Sequence, residues 1–276
     1  MHPSIASVLL HPWSSVLIFF SWVTYPLFIV DPLMAQMAVI LPAAGRSTRF
    51  ASSTRLNAVE HGPHDASHPA LRKKPFVTLK GEPIWYRSVI PFLYRADVVK
   101  VVIAVSPEDL DWFLTRFADQ LSRMRSVEVV AGGAERSDTV EAALRLIPES
   151  VELIAVHDAA RPLIQSETIE AVVQAARRTG AAIPATPISS TIKRVDSSNR
   201  ITETVPRADL WAAQTPQIVR QDWLRQAFAQ RGAFQPTDEA QLIERLGRPV
   251  EVVPGLASNI KITTQDDLDL AEALLK

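Results

Sequence analysis

Four clusters of residues have the types and spacing to handle a phosphate ligand. The first, Leu41-Pro-Ala-Ala-Gly45-Arg46-Ser-Thr-Arg49, follows an apolar run. Small residues there let the backbone approach a ligand closely, the N–H groups of the turn can form an anion-binding nest, and Arg49 can reach phosphate oxygens. The second, Gly132-Gly133-Ala134-Glu135-Arg136-Ser137-Asp138-Thr139-Val140, reads as a Gly-rich turn opening a helix, with a first-turn capping group such as Ser137. The third, His157-Asp158-Ala-Ala-Arg161-Pro162, puts a carboxylate at the end of an apolar strand. An Asp beside a polyphosphate is a common way to hold Mg²⁺; the alternative is that Asp158 only pairs with Arg161. The fourth is Asn259-Ile260-Lys261-Ile262-Thr263, whose lysine either serves an anion or snorkels to solvent from a short apolar strand.

The elements that must position these groups follow from the hydrophobic pattern. Short Val- and Ile-rich runs at Ala38–Pro42, Val98–Val105, Val127–Val130, Val151–Val156 and Ala181–Ala185 predict strands. Between them, apolar spacing of i, i+3, i+4 predicts helices near Pro83–Arg95, Glu108–Leu121, Arg136–Ile147 and Glu167–Arg178. Strand, crossover helix, strand, repeated four times, gives an α/β domain with a mostly parallel, doubly wound sheet whose ligands sit at the carboxyl ends of its strands. Residues 187–215 break the rhythm: TIKRV and RITETV flank the turn Asp196-Ser197-Ser198-Asn199 and predict a hairpin arm projecting from the domain. A helix at Thr237–Leu246, short strands at Val250–Val253 and Asn259–Ile262, and a helix capped by Thr264 complete the chain.

Composition narrows the function classes. The 276 residues carry 29 Lys plus Arg against 30 Asp plus Glu, with no basic block, which excludes the electrostatic footprint of a general nucleic-acid binder. Without Cys there is no disulfide, thiolate metal site or cysteine nucleophile. The nine Gly write neither a dinucleotide fingerprint nor a P-loop. Residues 1–45 contain no Lys or Arg, and Trp13–Val30 is uncharged and apolar. A signal or anchor is one reading, but Pro26 interrupts the run and no Lys or Arg precedes it. The reading preferred here is an extension, 1–36, that is disordered or precedes the true start at Met34 or Met37, leaving a domain at 37–276 with no membrane association.

PAAGRSTR, a downstream Lys-Pro-Phe, then GGAERSDTV, HDAARP, TIKR, WAAQTPQ, TDEA and NIKIT, in that order, resemble the 2-C-methyl-D-erythritol 4-phosphate cytidylyltransferase family from about Met37 to Lys276. The resemblance implies a Rossmann-like nucleotidyltransferase sheet and a cytoplasmic enzyme of non-mevalonate isoprenoid synthesis that joins CTP to a sugar-alcohol phosphate with Mg²⁺. It implies that Arg49, Lys74 and Lys261 act on the phosphates and that Ala43, Ala44, Gly45, Gly133, Arg136 and Thr139 line the nucleotide pocket. Asp158 would hold the metal. Arg161, Thr191, Arg207, Thr215 and Thr237 would hold the sugar phosphate, with the arm crossing a homodimer so that Thr191 and Arg207 serve the partner's site. The demand fits the residues: two anions must be brought together, the attacking phosphate is already ionised, and the site must supply alignment and positive charge rather than a base.

Two departures stand out. Residues 50–73 form a longer passage between Arg49 and Lys74 than is usual in that family, and Pro75 replaces the customary Gln. Lys73 is therefore a rival for the role of Lys74, which is preferred because Phe76-Val77 resumes the apolar pattern directly after it. His61, His64 and His68 in this passage have metal-like spacing but are read as part of a loop. The acid that some relatives carry before Asn-Ile-Lys is here Ala257-Ser258, leaving Asp158 as the one candidate carboxylate for the metal. A ribitol-5-phosphate or other polyol-phosphate cytidylyltransferase shares the nucleotide motifs and remains an alternative, as does a non-catalytic nucleotide-binding protein anchored by its N-terminus.

Overall fold

The continuous run of apolar residues in the first strand dictates a sheet buried on both faces. In the computed structural model, which describes residues 36–45 and 69–275, β1 (Met37–Pro42) is buried from Met37 through Leu41. Met37, Val39 and Leu41 face one core, and Ala38 and Ile40 the other. Each fully buried large side chain in such a strand contributes roughly 1.5–3 kcal/mol. Residues 1–35 of the extension, Arg49 and His61, His64 and His68 lie outside the described residues.

After β1 come a small hairpin, β2 (Thr78–Leu79) and β3 (Glu82–Pro83), then α1 (Ile84–Leu93) and β4 (Val98–Val105). Next are α2 (Leu110–Arg116), α3 (Ala118–Ser122), β5 (Val127–Ala131), α4 (Arg136–Leu144) and β6 (Leu153–Val156). Strands β5, β4, β1 and β6 lie side by side in that order and are parallel. The chain thus leaves β1 on one side for β4 and β5 and returns on the other for β6, which makes the carboxyl end of β1 the topological switch point.

The second half widens the sheet. Helix α5 (Ser166–Thr179) leads to β7 (Ala181–Pro187); β8 (Ile192–Val195) and β9 (Ile201–Val205) form a separate two-stranded ribbon, and β10 (Trp211–Ala213) returns to β7. β11 (Gln217–Arg220) runs antiparallel between β6 and β7, and after α6 (Gln221–Ala229) and α7 (Glu239–Arg245), β12 (Glu251–Pro254) pairs parallel with β7. α8 (Gln265–Leu274) closes the described chain, with Thr264 as its cap. Helices α1, α2 and α5 cover one face with an aromatic cluster of Phe76, Trp85, Phe113 and Phe117; α4, α6 and α7 cover the other. Among the described residues no helix is long and apolar enough to cross a membrane.

Three expectations change. The helix predicted over Glu108–Leu121 is broken at Phe117 (φ −112°, ψ 22°), where the backbone turns to seat the ring in the aromatic cluster. The strand predicted at Asn259–Ile262 does not form a ladder: the segment is held by Asn259 side-chain bonds to Gln214 and the Thr215 carbonyl, and by Ile262 N–H donating to the Ala160 carbonyl. β11 and α6 escape the sequence reading: β11 has only two apolar residues, Ile218 and Val219, too short a run to mark a strand, and the helical spacing of Trp223, Leu224, Ala227 and Phe228 is passed over there.

Gly180 ends α5 at φ +92°, and a Cβ there would meet the Trp223 ring at 2.3 Å. Both the left-handed backbone and the contact forbid a side chain. Gly180→Ala is expected to lose roughly 1–3 kcal/mol of stability in urea unfolding; an unchanged midpoint would show that α5 and α6 can part at no cost.

Candidate active site

The carboxyl ends of β1, β4, β5 and β6 enclose a cleft of about 670 Å³. Ala43, Ala44 and Gly45 line it after β1, Ser106 to Glu108 after β4, Gly132 to Arg136 and Thr139 after β5, and Asp158 to Ala160 after β6. Lys74 and Lys261 enter from the segments before β2 and before α8. All the described residues assigned to the nucleotide pocket are therefore together, along with Asp158, Lys74 and Lys261.

Close packing sets the shape of the β1 and β5 loops. A Cβ on Gly132 would stand 2.8 Å from the Ala44 Cβ, and one on Gly133 would stand 2.5 Å from the Asp138 Cβ and 3.0 Å from its backbone. A Cβ at Gly45 would meet no described residue within 4 Å, so among the described residues of these two loops only those after β5 require glycine for room. Gly133 N–H donates to Thr139 Oγ1 (3.1 Å), which in turn donates to the Glu135 carbonyl (3.0 Å). The start of α4 is capped by reciprocal bonds of Glu135 and Asp138 rather than by Ser137, whose hydroxyl is buried and bonds Gln235.

The lysines separate clearly. Lys73 Nζ lies 2.5 Å from the buried Asp109 carboxylate, 3.0 Å from Ser106 Oγ and 3.1 Å from Glu108. It ties the turn before β2 to the loop after β4, while Lys74 faces the cleft. The 3₁₀ turn Lys74–Phe76, with Pro75 and Phe76 buried, fixes that division.

Charge concentrates around Asp158. Lys261 Nζ is 2.8 Å from its Oδ2, Arg136 Nε and Nη2 are each 3.4 Å from its Oδ1, and Arg161 Nε is 3.6 Å from Oδ2. Burial alone would raise the Asp158 pKa; the charges of Arg136 and Lys261 override it and hold the carboxyl well below the usual range. Arg136 is also forked onto Glu239, at 2.7 and 3.0 Å, and burial, which would lower its pKa, is outweighed by Glu239 and Asp158. Glu239 is almost fully buried. Its position in TDEA was legible, but nothing in sequence spacing links it to Arg136, which lies 103 residues earlier.

A smaller hollow of about 160 Å³ shares Arg136, Asp158 and Lys261 with the cleft and adds Arg161, Thr215 and Thr237. Thr191 and Arg207 lie exposed in the 187–215 arm and line neither the cleft nor this hollow; the Arg207 guanidinium donates to the Ser189 carbonyl. Among the described residues no group of three or more His, Asp or Glu forms a metal cluster.

The family model described as 2-C-methyl-D-erythritol 4-phosphate cytidylyltransferase matches residues 67–276. The chain belongs to that family. A 2-C-methyl-D-erythritol 4-phosphate cytidylyltransferase of Rhodopirellula baltica is 39% identical over 255 residues, which cover 87% of this chain and 95% of the relative. One of Solibacter usitatus is 40% identical over 246 residues, covering 87% and 96%. The crystal structure of 2-C-methyl-D-erythritol 4-phosphate cytidylyltransferase from Thermus thermophilus superposes with a TM-score of 0.66 at 29% identity, over 87% of this chain and 98% of that one. This cytidylyltransferase chain thus has the family's sheet, and the cleft described above opens at its switch point.

His157 is fully buried beside the cleft of this cytidylyltransferase, and burial, against the opposing charge of Asp158, pushes its pKa down to about 4. Because the folded pKa lies below the ordinary value of 6.5, the unfolded chain takes up this proton first. The stabilising effect is complete above pH 6.5 and is lost as pH falls toward 4. Denaturant unfolding is expected to show about 2 kcal/mol less stability at pH 5 than at pH 7 from this group. His157→Asn should flatten that slope, and an unchanged slope in the variant would contradict the assignment.

Proposed function

We propose that the protein transfers a cytidylyl group from CTP to 2-C-methyl-D-erythritol 4-phosphate, giving CDP-methylerythritol and pyrophosphate in non-mevalonate isoprenoid precursor synthesis. The observation that carries this reading is the cleft itself, in which Asp158 is ringed by Arg136, Arg161 and Lys261 and Lys74 faces the same space. Such a site is built for anions. Family membership agrees with it.

In the proposed reaction, an oxygen of the sugar phosphate attacks the α-phosphorus of CTP and the bond to pyrophosphate breaks. The nucleophile is already anionic, so no protein base is needed. Ala43, Ala44, Gly45, Gly133, Arg136 and Thr139 would enclose the nucleotide. Arg49, Lys74 and Lys261 would meet the charge that builds up around the phosphorus, where fixed cations act without reorganisation. Arg161, Thr215 and Thr237 bound the acceptor end, and Thr191 and Arg207 would complete it in a partner subunit.

A divalent cation suits the donor set. Asp158 stays ionised throughout the neutral range, and a single carboxylate fits Mg²⁺, which takes its other ligands from phosphate and water. Asp158 would hold the ion, and the ion would offset triphosphate charge. The dimer through the arm is favoured by its exposure: a lone two-stranded ribbon is marginal in water, and Val195 and Ile201 are 51% and 64% exposed on it. The reaction belongs to the cytoplasm, where CTP is supplied.

Two measurements test this. With Mg²⁺ and CTP, purified protein should release pyrophosphate with methylerythritol phosphate; release only with ribitol 5-phosphate would reassign the acceptor. Lys74→Ala should lower turnover by about 10²–10⁴-fold, whereas Lys73→Ala should cost mainly stability. A dead Lys73→Ala beside an active Lys74→Ala would reverse the two roles.

A further inference from the structure

The loop after β5 is held from behind, on the side away from the cleft. Arg231, in the connection between α6 and α7, lines neither the cleft nor the acceptor hollow. Its guanidinium reaches the start of α4 instead: Nη1 donates to Ser137 Oγ and to Asp138 Oδ1, both at 2.8 Å, and Nη2 donates to Glu141 Oε2 at 3.1 Å. The Arg231 side chain is only 13% exposed, so these are converging, charge-assisted bonds rather than a screened surface pair. Ser137 Oγ in turn donates to Gln235 Oε1 at 2.8 Å, a second tie from the same connection.

Asp138 is the point through which this anchor reaches the ligand space. Its Oδ2 accepts from the Glu135 N–H at 3.3 Å, its Cβ and backbone abut Gly133 so closely that no Cβ fits there, and the next residue, Thr139, accepts from the Gly133 N–H. In packing this tight, a shift of Asp138 is passed on to Gly133 and Thr139. The far end of the connection is fastened separately. Asp238 Oδ2 accepts from Gln217 Nε2 (3.0 Å), Ala240 N–H donates to Gln217 Oε1 (2.8 Å), and Glu239 is forked by Arg136. Thr237, at the acceptor hollow, adjoins that end.

We propose that Arg231 is a positioning residue for the nucleotide half of the cleft and acts through Asp138: it pins the first turn of α4 to the α6–α7 connection and so holds Gly133 and Thr139 in place before the nucleotide arrives. The identity of the ligand rests on the cytidylyltransferase reading; the anchor itself does not. A loop ordered in advance spares the cost of ordering it on binding, so loss of the anchor falls on nucleotide affinity. The acceptor side keeps its own fastening through Gln217 and Glu239 and is left unchanged.

The test has a structural arm and a kinetic arm. In hydrogen exchange of the full chain without ligand, Arg231→Met should speed exchange across residues 132–139 by about tenfold or more while β6 and β7 keep wild-type rates. Wild-type rates across 132–139, or equal acceleration throughout the chain, would overturn the anchor whatever reaction the protein performs. In steady-state assays, Arg231→Met should raise the KM for CTP at least about fivefold while the KM for the sugar phosphate stays within about twofold. Arg231→Lys should recover part of the CTP affinity, because an ammonium keeps the charge opposite Asp138 without the fork. Asp138→Asn, which keeps an oxygen for the Glu135 N–H but removes the charge that Arg231 meets, should also raise the KM for CTP. The Arg231→Met/Asp138→Asn double variant should be no worse than its poorer parent. If Arg231→Met does not fold, Arg231→Lys and Asp138→Asn carry both comparisons. A rise confined to the KM for the sugar phosphate, a loss of kcat with both KM values unchanged, or multiplicative losses in the double variant each refute the proposal. Wild-type protein without turnover would defeat the functional reading and leave hydrogen exchange to decide the anchor.

Discussion

Burying the carboxylate of Asp158 is the constraint around which the rest of the site is arranged. An isolated ion moved into a protein interior costs several kcal/mol even after relaxation. Here the cost is met by three cations delivered from three places: Arg136 from α4, Arg161 from the loop after β6, and Lys261 from the segment before α8. Arg136 is itself buried enough to need Glu239 from α7. The consequence is a network in which each charge requires the next. Its worth lies less in stability, since such networks often do no better than apolar packing, than in holding charge in place before any ligand arrives.

The balance of the network has a direction. Within it Arg136, Arg161 and Lys261 face Asp158 and Glu239, while the cleft wall carries Lys74, Arg136 and Lys261 against Glu108, Glu135 and Asp158. Joining two phosphates is opposed chiefly by their mutual repulsion, and cations already fixed in the network can offset that repulsion without reorganising. Backbone geometry completes it. The β5 loop passes so close to Ala44 and Asp138 that only glycine fits, and the Lys73–Asp109 pair draws the Lys74 turn against the loop after β4. Lys73 thus takes the structural duty, and the adjacent lysine is left to face the ligand space.

The sheet topology explains why these parts converge. Four parallel strands with β1 at the switch point bring four successive loops to one edge, and the family relationship shows that this frame is shared with the cytidylyltransferases. Two features lie at the periphery of this frame. The family match begins at residue 67, after most of the passage 50–73 that connects Arg49 to Lys74. The arm β8–β9 stands apart from the main sheet and carries Thr191 and Arg207 beside or on it, away from the cleft of its own chain.

Local signals were enough for much of this. Apolar runs marked β1, β4, β5, β6 and β7 within about two residues, because strands covered by helices on both faces read as near-continuous apolar stretches, broken here only by Lys100 in β4 and Glu128 in β5. The turn Asp196–Asn199 marked the arm, because turn chemistry is local. The four clusters pointed to a phosphate ligand, and the family resemblance of the ordered motifs implied the reaction class. Tertiary structure decided whatever depends on partners distant in sequence: that Glu239 holds Arg136, that Lys73 is spent on Asp109, and that Asn259 bonds Gln214 and Thr215 instead of joining a strand. Periodicity and spacing record the environment of a residue along its own element. The partner of a buried charge is chosen by how elements pack, and a single sequence carries no local trace of that choice.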